Sequence, residues 1–584
     1  MHGEPGLARR RAEGRAAIFF HAGLARKGAG DNVGMSEPCN IAAALPRLAR
    51  DRPERVAMRC PGAGGRYELA LTYAQLDARS DAIAAGLAGR GIRRGTRTVV
   101  MVRPTPEFFL LMFALFKAGA VPVLVDPGID KRALKQCLDE ARPEAFVGIP
   151  LAMLAKALLG WAGSAKLRVT TGRWPLLADA TLARIEADGA GAGPQLADTD
   201  GEDVAAILFT SGSTGVPKGV VYRHRHFVAQ IAMLGEAFGI APGGIDFPTF
   251  PPFALFDPAL GLTSIIPDMD PTRPAQADPR KLHSAIERFG VTQMFGSPAL
   301  MGVLAAHGEK LPGVKRVTSA GAPVPPAVVR RMLELLPADA QLWTPYGATE
   351  CLPVAVIEGR ELLTLRGRTE TGAGTCVGRP VAGNTVRIIR IDDGAIPDWS
   401  DALQVAPGQV GEITVAGPSA TDAYFNRDAQ TALAKIREAL PDGGTRVVHR
   451  MGDLGWFDAE GRLWFCGRKS QRVVVDAQTT LCTEQVEPVF NAHPQLLRSA
   501  LVGVGPQGAQ TPVLVFELRP GARADVAELA DELRHLAQGF VHTARIERFL
   551  HYPKPFPVDI RHNAKIGREK LAAWAAAQPM KGKT

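Results

Sequence analysis

The chain has 584 residues, of which 46% are hydrophobic and 22% charged, with a formal net charge of +9. This length exceeds what one hydrophobic core supports, so we expect about two to four domains of ordinary globular composition. The charge is only mildly positive and forms no basic stripe interleaved with aromatic residues, which argues against a nucleic-acid-binding protein. The 7 cysteines are scattered without C-x-x-C or zinc-type spacing, which predicts reduced thiols in a cytoplasm.

The N-terminal segment, residues 1–36, is rich in Ala, Arg and Gly, and we expect it to be a disordered extension. Its apolar patch at 16–20 is too short for a signal peptide. The longest apolar run of the chain, 108–116, stops at Lys117. It therefore predicts a buried helix and not a transmembrane segment.

Helix and strand patterns alternate after this segment. Helical spacing over 73–88 is followed by an apolar strand near 97–102, and a helix over 106–118 is followed by a strand over 120–127. Such alternation predicts an α/β fold whose parallel strands are joined by crossover helices. A second cycle of the same pattern begins at Val204.

Changes in this pattern predict the domains. Shorter, glycine-punctuated strands after Gly378 indicate a small β-rich subdomain at the end of one large domain, residues 37–469. A polar segment at 467–470 ends the pattern, and a compact α+β stretch follows. We therefore expect a small C-terminal domain at 470–584.

One loop carries most of the functional information. Residues 210–219, TSGSTGVPKG, lie between two apolar stretches. Glycines let backbone N–H groups approach oxygen atoms, hydroxyls donate hydrogen bonds and a lysine adds charge, so the loop predicts a polyphosphate site. It lacks Walker A spacing, and a flexible linker is the alternative, although linkers seldom lie between apolar strands with Pro and Lys at the exit. The candidate contacts are Thr210, Ser211, Gly212, Ser213, Thr214, Gly215 and Lys218.

Four further segments have a composition suited to binding a nucleotide. They are SAGAPVP at 319–325, YGATE at 346–350, MGDLGWFDAEGRLWFCGRKS at 451–470 and HNAKIGREKL at 562–571. Each one alone is explained equally well by a turn, a surface carboxylate or a solvated lysine. Together with the loop, and in this order, they resemble the adenylate-forming superfamily of acyl-CoA synthetases, peptide-synthetase adenylation domains and luciferases. The resemblance covers about residues 37–575.

This resemblance implies ATP and Mg²⁺ as cofactors and a role for each matching residue. The catalytic residues would be Lys218 at the β- and γ-phosphates, Glu350, and Lys565 at the α-phosphate and the substrate carboxylate. Thr214 and Glu350 would hold Mg²⁺, which prefers hydroxyl and carboxylate oxygens. Tyr346 would stack on the adenine. The other nucleotide contacts would be Gly321, Ala322, Pro323, Gly347, Ala348, Thr349, Asp453 at the ribose, and Arg468.

The C-terminal domain would be a mobile lid that carries Lys565, hinges near Ser470 and excludes water from the acyl-adenylate. After the hinge, thiol-using members of the superfamily carry a lysine, an arginine and a glycine, where this chain has Val474, Asp476 and Ala477. A carboxylate and a methyl group at these places hinder the passage of pantetheine and the binding of CoA phosphates. The sequence therefore predicts that an external thiol is not the second nucleophile.

The segment FPPFALFDPALG, residues 250–261, predicts an apolar acyl pocket with Phe253 and Phe256. Many fatty-acid-activating members have a histidine in this segment. Asp257 is a candidate to orient a substrate hydroxyl, and an ordinary turn aspartate before Pro258 is an equally good interpretation.

The segments ALFDPALG and YGATECLPVA resemble the branch of the superfamily that forms β-lactones in bacterial long-chain olefin biosynthesis. That resemblance implies a 2-alkyl-3-hydroxy fatty acid as substrate, a β-lactone as product with release of AMP and pyrophosphate, and a cytoplasmic complex with other enzymes of the pathway. The base for the β-hydroxyl is not readable. His224 and His226 are candidates, but we expect them to be solvent-facing or helix-start residues, because the exit of the phosphate loop directs them away from the acyl end.

Two alternative functions remain. A long-chain acyl-CoA ligase would use the same adenylation chemistry with CoA as the second nucleophile. A non-catalytic binding protein on the same scaffold is less favoured, because the charged residues of all the motifs are retained.

Overall fold

The structure, a computed structural model, describes residues 39–126, 128–210, 217–558 and 566–579. The strands of its N-terminal part are β1 (Val56–Cys60), β2 (Leu69–Thr72), β3 (Arg97–Met101), β4 (Val121–Val125), β5 (Ala145–Gly148), β6 (Leu167–Thr170), β7 (Ala180–Thr181), β8 (Val204–Thr210) and β9 (Lys218–Arg223). The helices of this part are α1 (Ala44–Asp51), α2 (Tyr73–Gly89), α3 (Pro106–Lys117), α4 (Lys131–Glu140), α5 (Pro150–Leu159) and α6 (Leu182–Asp188).

The described strands of the first sheet have the order β7-β6-β5-β3-β4-β8-β9. Neighbours pair in parallel except β8 and β9, which are antiparallel. Helix α3 is buried along almost its whole length, as its apolar sequence predicts. Helices α2 and α3 and strands β3 and β4 lie where the alternating pattern predicts them, and the prediction of an α/β fold is confirmed.

The strand at Val204 does not open the second cycle, as its sequence pattern suggested. It pairs in parallel with β4 and completes the first sheet. Strand β9 then pairs antiparallel with β8, and the chain reaches the second sheet only after the following helix.

The middle part of the chain builds a second, larger sheet. Its helices are α7 (His224–Ala237), α8 (Asp257–Leu260), α9 (Pro279–Phe289), α10 (Pro298–His307), α11 (Pro326–Leu335), α12 (Gly359–Thr364) and α13 (Arg366–Glu370). Its strands are β10 (Ile245–Pro248), β11 (Thr263–Ile265), β12 (Gln293–Gly296), β13 (Arg316–Ser319), β14 (Gln341–Ala348) and β15 (Cys351–Glu358). Strands β10 to β14 pair in parallel, and the N-terminal strands β1 and β2 extend the edge beyond β11.

A β-rich part continues this sheet without a break. It contains β16 (Thr375–Pro380), β17 (Thr385–Ile389), β18 (Gly411–Ala416), α14 (Asp428–Ala434), β19 (Lys435–Ala439), β20 (Thr445–Phe457) and β21 (Leu463–Arg468). The strand order is β17-β18-β20-β21-β16-β15-β14-β13-β12-β10-β11-β1-β2, with β19 beside β20. In this part of the sheet, from β14 through β15, β16, β21, β20 and β18 to β17, neighbouring strands pair antiparallel. This agrees with the β-rich subdomain that the glycine-punctuated strands of the sequence predict.

The C-terminal part is a small α+β unit. Its elements are β22 (Val473–Val474), β23 (Thr480–Leu481), α15 (Thr483–Asn491), β24 (Leu496–Val504), β25 (Thr511–Leu518), α16 (Val526–Gln538), β26 (Arg548–His551) and α17 (Arg568–Ala576). Strands β24, β25 and β26 form its sheet, with helices on both faces. Across the described ranges, no helix has both the length and the apolar character needed to cross a bilayer.

Candidate active site

Three of the predicted nucleotide contacts, on β14, β20 and β21, come together although β15 and β16 separate β14 from β21 in the strand order. The Tyr346 hydroxyl donates to Oδ2 of Asp453 at 2.6 Å, and Nη1 of Arg468 lies 2.9 Å from Oδ1 of the same carboxylate. Asp453 and Arg468 are directly opposite each other in the β20–β21 ladder. Burial raises the pKa of Asp453, while Arg468 and the Tyr346 hydroxyl act in the opposite direction. The arrangement presents a buried carboxylate that can accept hydrogen bonds from ribose hydroxyls.

The turn that carries Glu350 is held at both its backbone and its side chain. The backbone N–H of Thr421 donates to the Glu350 carbonyl at 2.8 Å, and Oγ1 of Thr421 donates to it at 3.1 Å. The Tyr424 hydroxyl donates to Oε1 of Glu350 at 2.7 Å. The Tyr222 hydroxyl donates to the carbonyl of Thr349, one residue earlier. The carboxylate of Glu350 is therefore positioned by groups that approach it from two separate parts of the chain.

Segment 423–425 reaches Glu350 because it pairs with the edge of β9. The N–H of Val221 donates to Ala423 O at 3.1 Å, and that of Phe425 donates to Gly219 O at 2.7 Å. Nζ of Lys218, at the start of β9, lies 4.8 Å from the ring centroid of Tyr424. This pairing brings the lysine of the phosphate-loop candidate against the ring of Tyr424, whose hydroxyl donates to the Glu350 carboxylate.

Sequence reasoning missed Thr421, Tyr424 and Lys435. Lys435 is buried, donates to the Thr421 carbonyl and lies beneath the Tyr424 ring, with Nζ 6.0 Å from its centroid. Burial lowers its pKa to about 8, although nearby Glu350 opposes that shift. No local pattern marked these residues, because they reach the site only through the pairing of two segments about 200 residues apart in sequence.

Glycines shape the backbone beside these side chains. Gly321 follows β13 with φ of 100°, a conformation that other residues rarely adopt. A Cβ on Gly347 would lie 2.7 Å from the carbonyl oxygen of Cys351, so the β14–β15 turn needs glycine there. Strands β13 and β14 are parallel neighbours, so the residues after β13 and those at the end of β14 lie at one sheet edge. The predicted contacts at this edge are Gly321, Ala322, Pro323, Gly347, Ala348 and Thr349.

Several predicted contacts lie outside the described residues. They are Ser211, Gly212, Ser213, Thr214, Gly215 and Lys565. The backbone on either side of the phosphate-loop candidate is described, and Thr210 pairs with Lys218 across the β8–β9 ladder. The two ends of the loop are therefore fixed beside the Glu350 turn.

The residues present fit Mg²⁺ and ATP. Mg²⁺ that arrives with nucleotide phosphates needs only one or two protein carboxylates, the rest of its shell being phosphate oxygens and water. Within the described ranges no group of three or more His, Cys, Asp or Glu side chains could hold a metal ion alone. Within the described residues the Tyr424 hydroxyl donates to Oε1 of Glu350, so Oε2 is the candidate ligand for Mg²⁺.

The predicted acyl pocket is aromatic. The ring of Phe253 lies edge-on to Phe295 with centroids 4.6 Å apart and stacks on Phe256 at 6.2 Å. Phe256 contacts Phe227 of α7 at 6.0 Å. Phe253 is only partly buried, whereas Phe256 is buried. These rings offer an apolar wall that follows the carboxyl end of β10.

The side chain of Asp257 does not join the aromatic wall, although it follows Phe256 in the sequence. It accepts a hydrogen bond from Ser264 of β11 and lies beside Asp246 near the start of β10. Asp246 pairs with Ser264 and Gln293 in the parallel ladder, so the cluster sits at the amino ends of the strands. The residues after β13 and β14 lie at the opposite, carboxyl edge. The structure therefore favours a structural carboxyl at Asp257 over a contact with substrate.

The Asp246–Asp257 pair predicts a pH-dependent stability. Burial raises the pKa of Asp246 to about 7 and that of Asp257 well above its ordinary value, and the Asp246 charge adds to the latter effect. The native state thus retains a proton that the unfolded chain releases above about pH 4. Binding of this proton stabilises the native state at low pH, and the stabilisation is lost as the pH rises towards 7. We expect the free energy of unfolding to be about 1–3 kcal/mol larger at pH 5 than at pH 7.5 on this account.

Urea unfolding at the two pH values tests this prediction. The double change Asp246→Asn with Asp257→Asn, which removes both ionisable groups, should flatten the pH dependence, and the exposed Asp339→Asn should leave it as in the wild type. A wild-type free energy of unfolding that is no smaller at pH 7.5 than at pH 5 would show that the pair is ionised in the native state.

The two histidines after β9 lie at the start of α7, as expected, but neither faces solvent. Nδ1 of His224 accepts from the N–H of Ile41 at 3.3 Å, and Nδ1 of His226 accepts from the N–H of Arg223 at 3.0 Å, capping α7. Both rings are buried, and burial lowers their pKa values to about 4 and about 3. They remain neutral at physiological pH.

The hinge candidate Ser470 lies on a single 3-10 turn between β21 and β22. On one side of it Nη2 of Arg472 pairs with Asp393 at 2.6 Å. The N–H of Gln510 donates to the Val474 carbonyl, and the N–H of Val474 donates to Oε1 of the Gln510 side chain, each at 2.9 Å. Asp476 is half-buried in the next turn, where hydrogen bonds from backbone N–H groups lower its pKa and keep it negatively charged.

Comparison with known proteins shows the family of this chain. The profile of the AMP-binding enzyme family matches residues 45–425, and the chain belongs to this family. Olefin beta-lactone synthetase of Xanthomonas campestris is 70% identical over 94% of this chain and 100% of its own length. The olefin beta-lactone synthetase of Stenotrophomonas maltophilia is 69% identical over 93% and 99%. ATP-bound MatB from Rhodopseudomonas palustris shares the fold, with a TM-score of 0.73 and 21% identity over 92% of this chain and 99% of MatB.

Proposed function

We propose that this protein is an ATP-dependent, AMP-forming β-lactone synthetase that acts on 2-alkyl-3-hydroxy fatty acids in long-chain olefin biosynthesis. The observation that carries the proposal is the 70% identity over 94% of the chain to an olefin beta-lactone synthetase. The site geometry supports it, because the Tyr424 hydroxyl donates to the Glu350 carboxylate while the Tyr424 ring lies beside Lys218, and the Tyr346 hydroxyl donates to the buried Asp453 carboxylate.

In the first step the substrate carboxylate attacks the α-phosphorus of ATP, and the bond to pyrophosphate breaks. Lys565 and Lys218 offset the negative charge that the attacking and leaving oxygens share in the transition state. Glu350 and Thr214 would hold Mg²⁺, which would neutralise phosphate charge there. Asp453 and Tyr346 fix the nucleoside, and this positioning converts a bimolecular encounter into an oriented one.

In the second step the β-hydroxyl oxygen attacks the acyl carbon of the adenylate, and the bond to AMP breaks. The hydroxyl proton leaves, and a four-membered lactone closes. The nucleophile is part of the same molecule, so its high effective concentration compensates for the strain of the small ring.

Residues 470–584 serve as a lid that moves about Ser470 and carries Lys565 to the site. Val474, Asp476 and Ala477 follow the hinge, and the Asp476 charge is unfavourable for the phosphates of CoA. We propose that this is why the adenylate is resolved by its own hydroxyl. The proposal places the protein in the cytoplasm, in a complex with other enzymes of the olefin pathway.

A product assay with and without CoA tests the proposed reaction. With ATP, Mg²⁺ and a 2-alkyl-3-hydroxy acid we expect lactone, AMP and pyrophosphate in equal amounts, at the same rate whether or not CoA is present. The matched acid without its 3-hydroxyl should give no lactone. Formation of a CoA-dependent thioester in place of the lactone would establish the alternative, a long-chain acyl-CoA ligase.

A further inference from the structure

Helix α5 exposes a row of large apolar side chains to solvent. Leu151 is 66% exposed, Leu154 44% and Leu158 74%, and their spacing places them on one face of the helix. The opposite face of α5 is buried through Ala152 and Met153, which pack into the core under the first sheet. The leucine row therefore contributes nothing to that core.

The loop after β6 adds further apolar side chains next to this row. Trp174 is 80% exposed and Leu176 72%. The loop begins beside the start of α5, since a Cβ built on Gly172 would lie 2.6 Å from Cγ of Pro150. Trp174 is two residues further on, within about 7 Å of Gly172 along an extended chain. We call these exposed side chains the α5 patch: Leu151, Leu154, Leu158, Trp174 and Leu176.

The stretch that carries the α5 patch is basic, with acidic residues only at its two ends, Glu144 and Asp179. Residues 145–178 contain Lys156, Lys166, Arg168 and Arg173 and no Asp or Glu. Arg168 pairs with Asp179 at 2.8 Å, and Lys156 donates to the carbonyls of Trp161 and Ala162. For Lys166 and Arg173 the described part of the chain shows no ion pair, and both side chains are exposed.

We propose that the α5 patch is a docking surface for an anionic lipid bilayer. Exposed Leu and Trp side chains, together with the exposed cations Lys166 and Arg173, are what the boundary between acyl chains and negatively charged headgroups accommodates. The apolar side chains enter the boundary region, and Lys166 and Arg173 contact the headgroup phosphates. The inference is independent of the reaction proposed above, although a long-chain acid also partitions into such a surface.

Vesicle co-sedimentation of the full-length protein tests the proposal. We expect binding to vesicles of phosphatidylcholine with phosphatidylglycerol, at least tenfold weaker binding to pure phosphatidylcholine, and weaker binding at high salt. The combined change Leu151→Ser, Leu158→Ser and Trp174→Ser should reduce binding at least tenfold, and so should Lys166→Glu with Arg173→Glu. Trp174→Phe should keep binding while removing a blue shift of tryptophan emission on addition of vesicles.

Matched variants control for general effects of the substitutions. Val541→Ser with Leu433→Ser removes exposed apolar side chains elsewhere, and Arg330→Glu with Arg523→Glu reverses exposed charges elsewhere. Both should bind vesicles like the wild type. Absence of binding to anionic vesicles, or equal binding by the α5-patch variants, would overturn the proposal. So would light scattering that shows an oligomer dissociated by the α5-patch changes, because the patch would then be a protein–protein interface.

Discussion

Replacing Asp453 with asparagine is expected to lower kcat/KM for ATP by about 10²–10³-fold. Two charge-assisted interactions of about 1.5–2 kcal/mol each are lost, and about 1.4 kcal/mol corresponds to a factor of ten. The uncharged amide accepts more weakly from ribose hydroxyls. It also leaves Arg468 without its 2.9 Å ion pair and weakens the bond that orients the Tyr346 ring. Pyrophosphate release, measured over a range of ATP concentrations, checks the expectation.

A second buried aspartate in the same hairpin provides the control. Asp458 accepts from Arg462 and Trp464 at 2.8 and 2.9 Å, away from the nucleotide edge. Asp458→Asn should lower the thermal midpoint while leaving kcat/KM for ATP within about threefold of the wild type at a temperature where the protein is folded. If Asp453→Asn behaves in the same way, Asp453 is a structural residue and not a ribose contact.

Replacing Glu350 with glutamine is expected to lower kcat by about 10²–10³-fold and to raise the Mg²⁺ concentration needed for half-maximal rate. Glutamine keeps an oxygen that can accept from Tyr424, so the turn stays in place and the loss reports the charge. Tyr424→Phe should have a smaller effect of about five- to tenfold, because it frees the Glu350 carboxylate from one 2.7 Å hydrogen bond without removing its charge. Calorimetric titration of the ATP-bound variants with Mg²⁺ gives a readout separate from turnover.

Glu438 supplies a matched control for this loss of charge. It is buried, pairs with Arg387 and Arg446 at 2.7 Å, and lies outside the nucleotide edge. Glu438→Gln should reduce stability and leave the Mg²⁺ dependence unchanged. An unchanged Mg²⁺ dependence in Glu350→Gln would exclude Glu350 as a metal ligand.

The sequence motifs were more informative about chemistry than about spatial neighbours. The strand–loop–strand around TSGSTGVPKG is local, and the antiparallel pair β8–β9 forms where the apolar stretches indicated. Tyr424 and Lys435 were not predicted, although both contact the surroundings of Glu350. Their positions depend on segment 423–425 joining the edge of β9, and no periodicity reports such a long-range pairing.

The role of Asp257 also could not be decided from the sequence. Its position in an apolar segment was compatible with either a substrate contact or a turn residue. The choice depends on which end of β10 and β11 the segment returns to, and it returns to the amino ends, beside Asp246 and Ser264. Strand direction within a sheet is set by the pairing of distant segments, so the sequence pattern alone did not decide it.

The sequence by itself determined the α/β class, the buried helix α3, the phosphate-loop candidate and the family resemblance, because all of these depend on local periodicity or on short motifs in a set order. Only the tertiary structure decided that β1 and β2 join the second sheet, that Tyr424 and Thr421 hold Glu350, and that the leucine row of α5 is left exposed. These features arise from contacts between residues far apart in the chain, whose free energy depends on the whole packed arrangement.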